Sequence, residues 1–327
     1  TFRQQWLCSN GFPIFTYNFT NDPRHNNMKF VLAQTPSCKT NVPFFTGNIL
    51  VYLRDLDMPY EFPFAVENQI QIQQFNYFAH RRKTKKKNFS FVNGTTKSVT
   101  VHHAVMWLIL DQPMSWICKV RPRLPQFMIH YQLQLLHNVY AQHEAISSLE
   151  DFKDTEESIA ILTEFLKDDR VYFGVRGHVA RALAMFNSEQ TEDKHMRILL
   201  DWYASQFFEN NPTSNEISVK PHDFYDIPRH FVQLEVIKSL SIIRNSQNYT
   251  PERIVKTLIE VLKQANNNTN NMYSDDYFNA EVILAFGRFR NENEDFYKNT
   301  SSQILNKLTL HASIPSYCNI ITSAGYE

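Results

Sequence analysis

Short apolar runs separated by turn-forming residues fill the chain up to residue 112. Six such runs are rich in β-branched and aromatic residues, and Pro, Gly, Asn and Asp stand between them. Ile70 and Ile72 alternate with glutamines, which is the pattern of a strand with one buried face. This spacing predicts an antiparallel β-sandwich over residues 1–112. The predicted strands lie within residues 12–20, 28–34, 48–56, 60–68, 69–78 and 104–110.

Beyond residue 112 the spacing of apolar residues changes from two to about 3.6, the period of an α-helix. From Gln126 onward glycine is rare and the polar joints are short. Thr250 and Pro251 place a capping hydroxyl before a proline at a first helical position. The pattern predicts helices within residues 130–152, 155–169, 174–186, 193–208, 229–243, 251–265, 275–289 and 299–310.

One short apolar pattern recurs in four of these helices. The copies are EAISSL at Glu144, HVARAL at His178, EVIKSL at Glu235 and EVILAF at Glu281. A second helix follows each copy, and the spacing drifts around roughly 40 residues, which is typical of HEAT repeats. Residues 113–327 are therefore predicted to form an all-α HEAT/ARM-like solenoid. An irregular helical bundle is the alternative.

A long polar insertion at residues 209–228 interrupts these repeats and is predicted to be a surface loop. Four aromatic residues accompany it and are candidate anchors for a partner protein. Packing in the core is the favoured role of each. They are Phe207, Phe208, Phe224 and Tyr225.

The charge of the chain is balanced, with 33 basic and 33 acidic residues. Any attraction to a polyanion must therefore be local. The four cysteines are far apart and form no pair at metal-binding spacing, which favours a reduced intracellular protein without a metal site. No apolar run reaches the length of a membrane span. The first residue is Thr1, and the chain is interpreted as a piece of a longer polypeptide.

The sequence HRRKTKKK, at residues 80–87, concentrates six positive charges in a connection between two predicted strands. Such a segment could neutralise DNA phosphates, and without interleaved aromatics it predicts backbone contact and no reading of bases. A solvated loop and a nuclear-import signal remain alternatives. The candidate DNA-binding residues are Arg81, Arg82, Lys83, Lys85, Lys86 and Lys87.

Sequence motifs of common enzyme classes are missing from the chain. His143 and Glu144 form its one His-Glu pair, but Ser147 stands where a zinc peptidase helix needs its second histidine. Walker, GxGxxG and GxSxG motifs do not occur. We therefore expect no catalytic residue, no cofactor, no metal ligand and no small-molecule substrate.

Two family resemblances follow from these motifs. RQQWLCSNGFPIFTYNF at Arg3, with the order of sandwich and solenoid, resembles the third and fourth domains of the aminopeptidase N family. Nearly the whole chain resembles more closely the second TBP-associated factor family of TFIID, including its basic stretch. Gly177 departs from that family, which has helix formers there. The matching residues are Asp111, Met114 and Trp116; Met128, Tyr131, Gln132 and Leu133; Val139, Ala141, Gln142, Glu144 and Ala145; and Tyr273, Ser274, Asp275, Tyr277, Ala280 and Glu281.

The closer resemblance implies a non-catalytic nuclear scaffold, a pseudoenzyme that has lost its zinc motif in an upstream domain. It also implies other TFIID subunits as partners and phosphate contacts to core-promoter DNA during transcription initiation. The accessory C-terminal domains of an active zinc aminopeptidase are the main alternative. A HEAT-repeat transport adaptor is another, but it leaves the β-sandwich and the segment from Asp111 to Trp116 unexplained.

Overall fold

The computed structural model describes residues 3–22, 27–38, 44–56, 58–76, 85–101, 105–187, 193–209, 218–264, 268, 271–291, 294–313 and 316–327. The chain divides into two compact units, Thr1–Phe152 and Lys153–Glu327. The predicted boundary between residues 112 and 113 stays a prediction.

Strands dominate the first unit. They are β1 Pro13–Asp22, β2 Asn27–Pro36, β3 Gly47–Asp55, β4 Pro59–Val66, β5 Ile70–Asn76, β6 Lys85–Ser90, β7 Thr96–Val101, β8 Val105–Leu110 and β9 Lys119–Pro122. One sheet has the order β5-β2-β1-β9, a second has the order β4-β3-β8, and β6 pairs with β7 alone. These pairings are antiparallel except that β9 runs parallel to β1.

Alternating side chains of the two larger sheets build the core of this unit. Phe30 of β2 and Phe64 of β4 are fully buried, and their ring centroids lie 5.3 Å apart in an edge-to-face contact. Aromatic pairs of this geometry add to the free energy gained from burial alone. The predicted sandwich is therefore confirmed, and helices α1 Gln126–Leu135 and α2 Val139–Ser148 complete the unit.

The helical segment predicted over residues 130–152 consists of two helices, because the chain breaks at residues 136–138. The side chain of Asn138 accepts a hydrogen bond from the backbone N–H of Ala141 at 3.1 Å. Asn is among the best N-cap residues, since its oxygen satisfies an N–H group that has no partner within the helix. A new helix therefore begins at Val139.

The second unit is a stack of helices in two rows. The helices are α3 Glu156–Lys167, α4 Phe173–Phe186, α5 Lys194–Phe207, α6 Ile227–Ile242, α7 Glu252–Gln264, α8 Asp276–Gly287, α9 Glu294–Ser313 and α10 Ile320–Tyr326. In one row α4 packs on α6, α6 on α8 and α8 on α10, while α3 contacts α5 and α7 contacts α9 in the other. The recurring apolar pattern at His178, Glu235 and Glu281 marks the helices of the first row. The prediction of an α-solenoid is confirmed.

Two short strands, β10 Phe208–Glu209 and β11 Ser218–Val219, pair on either side of residues 210–217 of the long insertion. Its residues 210–217 lie outside the described chain. Across the described ranges no helix has both the length and the apolarity needed to cross a bilayer.

Gly177 explains how closely α4 and α6 approach. A methyl group added at Gly177 would lie 3.0 Å from Cγ of Glu235 on the neighbouring helix. Glycine lowers helix propensity, so its presence here reflects interhelical packing.

Replacing Gly177 by valine is expected to lower the free energy of unfolding by about 2 kcal/mol, the usual cost of overpacking. Gly287, at the end of α8, is the matched control because nothing lies within 4 Å of a Cβ added there. The same change at Gly287 is expected to cost at most about 0.5 kcal/mol, as at other exposed positions. Urea unfolding followed by circular dichroism measures both. Equal losses would show that helix propensity, and not the contact with Glu235, sets the cost.

Candidate nucleic-acid interface

The basic segment ends in a strand. Lys85, Lys86 and Lys87 begin β6, which contradicts the expectation that the whole segment lies in a connection between strands. Arg81, Arg82 and Lys83 lie outside the described residues, and so does the side chain of Lys85.

A hairpin forms here because its inner face is apolar. Phe89 of β6 and Val99 of β7 pack against a buried cluster of Leu56, Met106 and Leu135. Burying aromatic and β-branched side chains on one face is what stabilises a two-stranded ribbon that would be marginal alone.

Lys86 and Lys87 have different environments because side chains alternate along a strand. Lys86 is exposed on the outer face. Lys87 is half-buried on the inner face, where its Nζ donates a hydrogen bond to the backbone carbonyl of Leu56 at 2.5 Å and lies 5.9 Å from the ring centroid of Phe89. Lys87 thus supports the hairpin, whereas Lys86 can meet a ligand.

The outer face of the hairpin carries one lysine and several small polar side chains. Asn88 pairs with Ser98 and Ser90 pairs with Thr96, and all four are exposed with Lys86. Amide and hydroxyl groups of this kind commonly bond to phosphate oxygens in protein–DNA complexes. We call these five residues the polar face.

The positive charge of the hairpin is unopposed in the local sequence. Four lysines and no acidic residue lie between positions 85 and 101. The fourth, Lys97, was missed by sequence analysis. Its Nζ lies 5.4 Å from the ring centroid of Phe91. The signal that could have found it is Asn93-Gly94, a dipeptide typical of hairpin turns.

Asp111 organises the turn between β8 and β9. Its carboxylate accepts hydrogen bonds from the backbone N–H groups of Ser115 at 3.0 Å and Trp116 at 2.8 Å. Trp116 in turn donates from Nε1 to the carbonyl of Asn48 at 2.8 Å. Its ring also lies 2.9 Å from the position of a Cβ added at Gly47, so only glycine fits there. The Asp-x-x-Met-x-Trp motif is therefore a structural corner.

Gln132 and Glu144, from two different matched motifs, meet in the interior of the first unit. Gln132 Nε2 donates to Oε1 of Glu144 at 3.1 Å and to the carbonyl of Ala141 at 2.9 Å. The hydroxyl of Tyr17 donates to the carbonyl of Leu108 at 2.8 Å and lies 3.5 Å from the same carboxylate oxygen. Burial raises the pKa of Glu144 to about 7, although hydrogen bonds from Gln132 and Tyr17 oppose the shift.

Ion pairs join neighbouring helices of the solenoid, and one of the residues involved, Glu281, belongs to a third matched motif. Glu235 on α6 pairs with Arg181 on α4 at 3.0 Å, and Lys238 bridges Glu235 at 3.1 Å and Glu281 at 3.7 Å. Glu281 on α8 also pairs with Arg288 at 2.9 Å. The acidic residue that begins each of these repeat copies thus links neighbouring helices.

Three of the four cysteines are exposed, and all are free thiols. Burial raises the pKa of Cys118 to about 12, so this half-buried thiol stays protonated at neutral pH. Among the described residues, no group of three His, Cys, Asp or Glu side chains is placed to hold a metal ion.

Comparison with known proteins connects both units to one family. Residues 10–125 match a family model described as the TAF2 Ig-like domain, and residues 126–323 match one described as TAF2-like, TPR repeats. The second description names the helix pairs as TPR repeats where the sequence predicted the HEAT type.

Curated relatives agree with these matches. Transcription initiation factor TFIID subunit 2 of Danio rerio is 25% identical over 86% of this chain and 24% of its own length. The protein of the same name from Schizosaccharomyces pombe is 24% identical over 98% of this chain and 34% of its own length. The chain therefore spans only a quarter to a third of these relatives.

Among solved structures, an aminopeptidase A from Legionella pneumophila in complex with aspartic acid resembles the chain with a TM-score of 0.54. The match covers 96% of this chain and 35% of that protein at 11% identity, which shows a shared fold alone. The TAF2-like repeat model, in contrast, covers more than half of the chain. Together with the adjoining match of the Ig-like domain, it shows that this chain belongs to the family of transcription initiation factor TFIID subunit 2.

Proposed function

We propose that the chain is a non-catalytic scaffold segment that helps to assemble TFIID in the nucleus and contacts core-promoter DNA during transcription initiation. Membership of the TFIID subunit 2 family supports the assembly role, with other TBP-associated factors as partners. A stack of helices that presents a long surface suits such a role.

The observation that carries the DNA contact is the polar face beside the basic segment. Lys86 and the amide and hydroxyl groups of β6 and β7 are exposed together, and the residues just before them include Arg81, Arg82 and Lys83. Cations and small hydrogen-bond donors suit phosphates, which carry no sequence information, and no aromatic residue is interleaved with the basic residues. We therefore expect affinity without sequence preference.

The accessory domains of an active zinc aminopeptidase are the other candidate, because a solved aminopeptidase shares this fold. Unrelated functions often share a fold, so this likeness does not favour peptidase activity. The relatives named above carry the name of a transcription factor subunit, and the scaffold role follows their family.

Replacing all six basic residues of the segment by alanine is expected to weaken DNA binding and to flatten its dependence on salt. If five of them contact phosphates, with Lys87 retained by Leu56, the slope of log K against log[salt] should become less negative by about 4 to 5. Fluorescence anisotropy with a labelled promoter duplex between about 50 and 200 mM salt measures this slope. A scrambled duplex should give the same result.

The control removes lysines from the solenoid, at Lys167, Lys256 and Lys263, and should leave the slope unchanged. A second variant, Asn88→Asp with Ser98→Asp, keeps every lysine but adds negative charge to the polar face and should weaken binding. An unaltered slope in the six-residue variant would remove the segment from the DNA contact. An effect of the solenoid lysines alone would place the contact elsewhere.

A further inference from the structure

Aromatic residues, four of them exposed and two half-buried, line the edge of the solenoid where the helices of its first row begin. Tyr172 and Phe173 stand at the start of α4, Phe224, Tyr225 and Phe231 at the start of α6, and Tyr273 just before α8. We call these six residues the aromatic edge.

Ring contacts run along the aromatic edge from helix to helix. Phe173 stacks on Phe231 with centroids 5.4 Å apart, and Tyr172 lies 4.5 Å from Phe173. Phe224 then links α6 to α8, since its centroid lies 6.0 Å from that of Tyr273. His230 joins the two groups, at 6.2 Å from Phe231 and 5.1 Å from Phe224. These rings form one continuous row, and Tyr225 stands beside it next to Phe224 in the chain.

Several of these rings face solvent. Tyr225 is fully exposed, and Tyr273, Tyr172 and Phe231 keep 66%, 51% and 45% of their surface exposed. Phe207 and Phe208, the other two aromatics of the insertion, instead pack on Tyr203 at 5.1 and 5.6 Å. A contiguous exposed apolar surface on a soluble protein marks a site of interaction, whereas scattered exposed residues do not.

The surroundings of the aromatic edge are acidic. Asp223 and Asp226 precede α6, and Asp275 and Asp276 stand at the start of α8. Three cations stand near them. Half-buried Arg229 donates to Oε1 of Gln206 at 2.7 Å, exposed Lys220 donates to the carbonyl of Gln206 at 3.0 Å, and Lys307 interacts with Asp275.

The histidines of this edge do not offset that charge. Burial lowers the pKa of His230 to about 4, and burial also lowers the pKa of His222 although Asp275 opposes the shift. Both imidazoles are therefore mainly neutral at pH 7, and four carboxylates beside three cations leave a small excess of negative charge.

Exposed aromatic rings beside an excess of carboxylates favour one class of ligand. Aromatic rows stack nucleic acid bases, but four aspartates repel phosphates. Aromatic-lined surfaces also bind proline-rich segments, whose preformed polyproline II helix loses little entropy on binding. We propose that the aromatic edge binds an extended, proline-containing peptide segment that carries lysine or arginine.

The length of the row fixes the length of the ligand. Neighbouring packed helices lie about 8–10 Å apart, so the starts of α4, α6 and α8 span roughly 16–20 Å. At about 3.1 Å per residue, a polyproline II segment of about six residues covers that distance. Prolines would pack between rings, and basic side chains would reach Asp223 and Asp276.

A peptide selection tests this proposal. The bait is the chain, and the probe is a displayed library of ten-residue peptides with two prolines three positions apart and all other positions random. Enriched peptides are expected to contain an excess of Lys and Arg. Their affinity, measured by fluorescence anisotropy, should fall at least tenfold in Tyr273→Ala and in Tyr225→Ala. Asp223→Lys should weaken basic peptides as well.

Tyr326→Ala is the matched control, because Tyr326 is an exposed tyrosine at the far end of α10 and should leave binding unchanged. Tyr225 is fully exposed, so its loss should leave the melting temperature unaltered. No enrichment, enrichment of acidic peptides, equal binding to the tyrosine variants, or preferential binding of an oligothymidine would each overturn the proposal. The inference deepens the scaffold role proposed above, and since its peptide probes contain no DNA, its failure is separable from failure of the DNA contact.

Discussion

Replacing Asp111 by alanine is expected to lower the free energy of unfolding of the first unit by about 4 kcal/mol. Asp111 is 2% exposed, and its carboxylate bonds to two backbone N–H groups, each bond to a charged group contributing about 1.5–3 kcal/mol. Its φ of +53° adds about 1 kcal/mol, because alanine is disfavoured in the left-handed region. Urea unfolding followed by tryptophan fluorescence measures the change.

The location of the tryptophans makes this measurement specific. Trp6, Trp107 and Trp116 lie in the first unit, so a Trp202→Phe background confines the signal to it. Trp116 also loses its anchor when Asp111 is replaced.

Asp111→Asn is the control, because asparagine tolerates a positive φ and keeps an oxygen acceptor. It should cost about half as much, with one neutral bond of about 1 kcal/mol remaining. If both variants unfold like the wild type, the corner from Asp111 to Trp116 does not stabilise the sandwich.

Most of the fold could be predicted, because one buried face imposes a clear period. The strand over Ile70–Asn76 is present, yet both isoleucines are exposed and Phe75 is buried. Phe75 stacks on Phe62 with centroids 4.6 Å apart, and this contact sets which face of β5 points inward. A shift of one residue reverses every side chain of a strand. Sequence periodicity located β5 but could not show which of its two faces is buried.

The break between α1 and α2 illustrates a local signal that the hydrophobic period hides. Leu133, Leu135 and Ala141 keep apolar residues at helical spacing on both sides of Asn138. Only the capping chemistry of Asn138 distinguishes two helices from one.

The candidate interface was only half visible in the sequence. The basic residues stand out by composition, but β6 and β7 are mostly polar and look like a loop. The hairpin turn between the two strands is what indicates them. Gly94 has a φ of +73°, and Asn93 Oδ1 accepts a hydrogen bond from the N–H of Thr95 at 3.1 Å. Glycine and asparagine are the residues that such hairpin turns demand. Tertiary contacts also decide that Lys87 turns inward, and no local pattern encodes that choice.

Glu144 is expected to make the stability of the first unit depend on pH between about 4.5 and 7. In the unfolded chain this carboxyl titrates near its ordinary pKa of 4.5, whereas burial raises the folded value to about 7. Below pH 4.5 both states are protonated and the residue costs nothing. As the pH rises from about 4.5 to about 7, the unfolded chain releases this proton while the folded state keeps it, so about 3 kcal/mol of stability is lost across that window.

Glu144→Gln should remove this loss, because an amide does not titrate. The free energy of unfolding of the variant, relative to wild type, should therefore rise by about 3 kcal/mol between pH 4.5 and pH 8. Urea unfolding at half-unit intervals of pH measures the difference. Glu150→Gln, at an exposed position in the same unit, is the control and should follow the wild type across the range.

The change of the free energy of unfolding with pH, and not its value at any one pH, identifies ionisation of Glu144 as the cause. The oxygen that accepts from Gln132 and Tyr17 remains in Glu144→Gln, so those bonds persist. The new amide nitrogen takes the place of Oε2, which has no hydrogen-bond partner among the described residues, and this adds a cost that is the same at every pH. A constant offset between the two curves would therefore reflect the amide alone. A difference that grows between about pH 4.5 and pH 7 and is constant on either side of that window would show that the raised pKa of a buried carboxyl limits the stability of this unit.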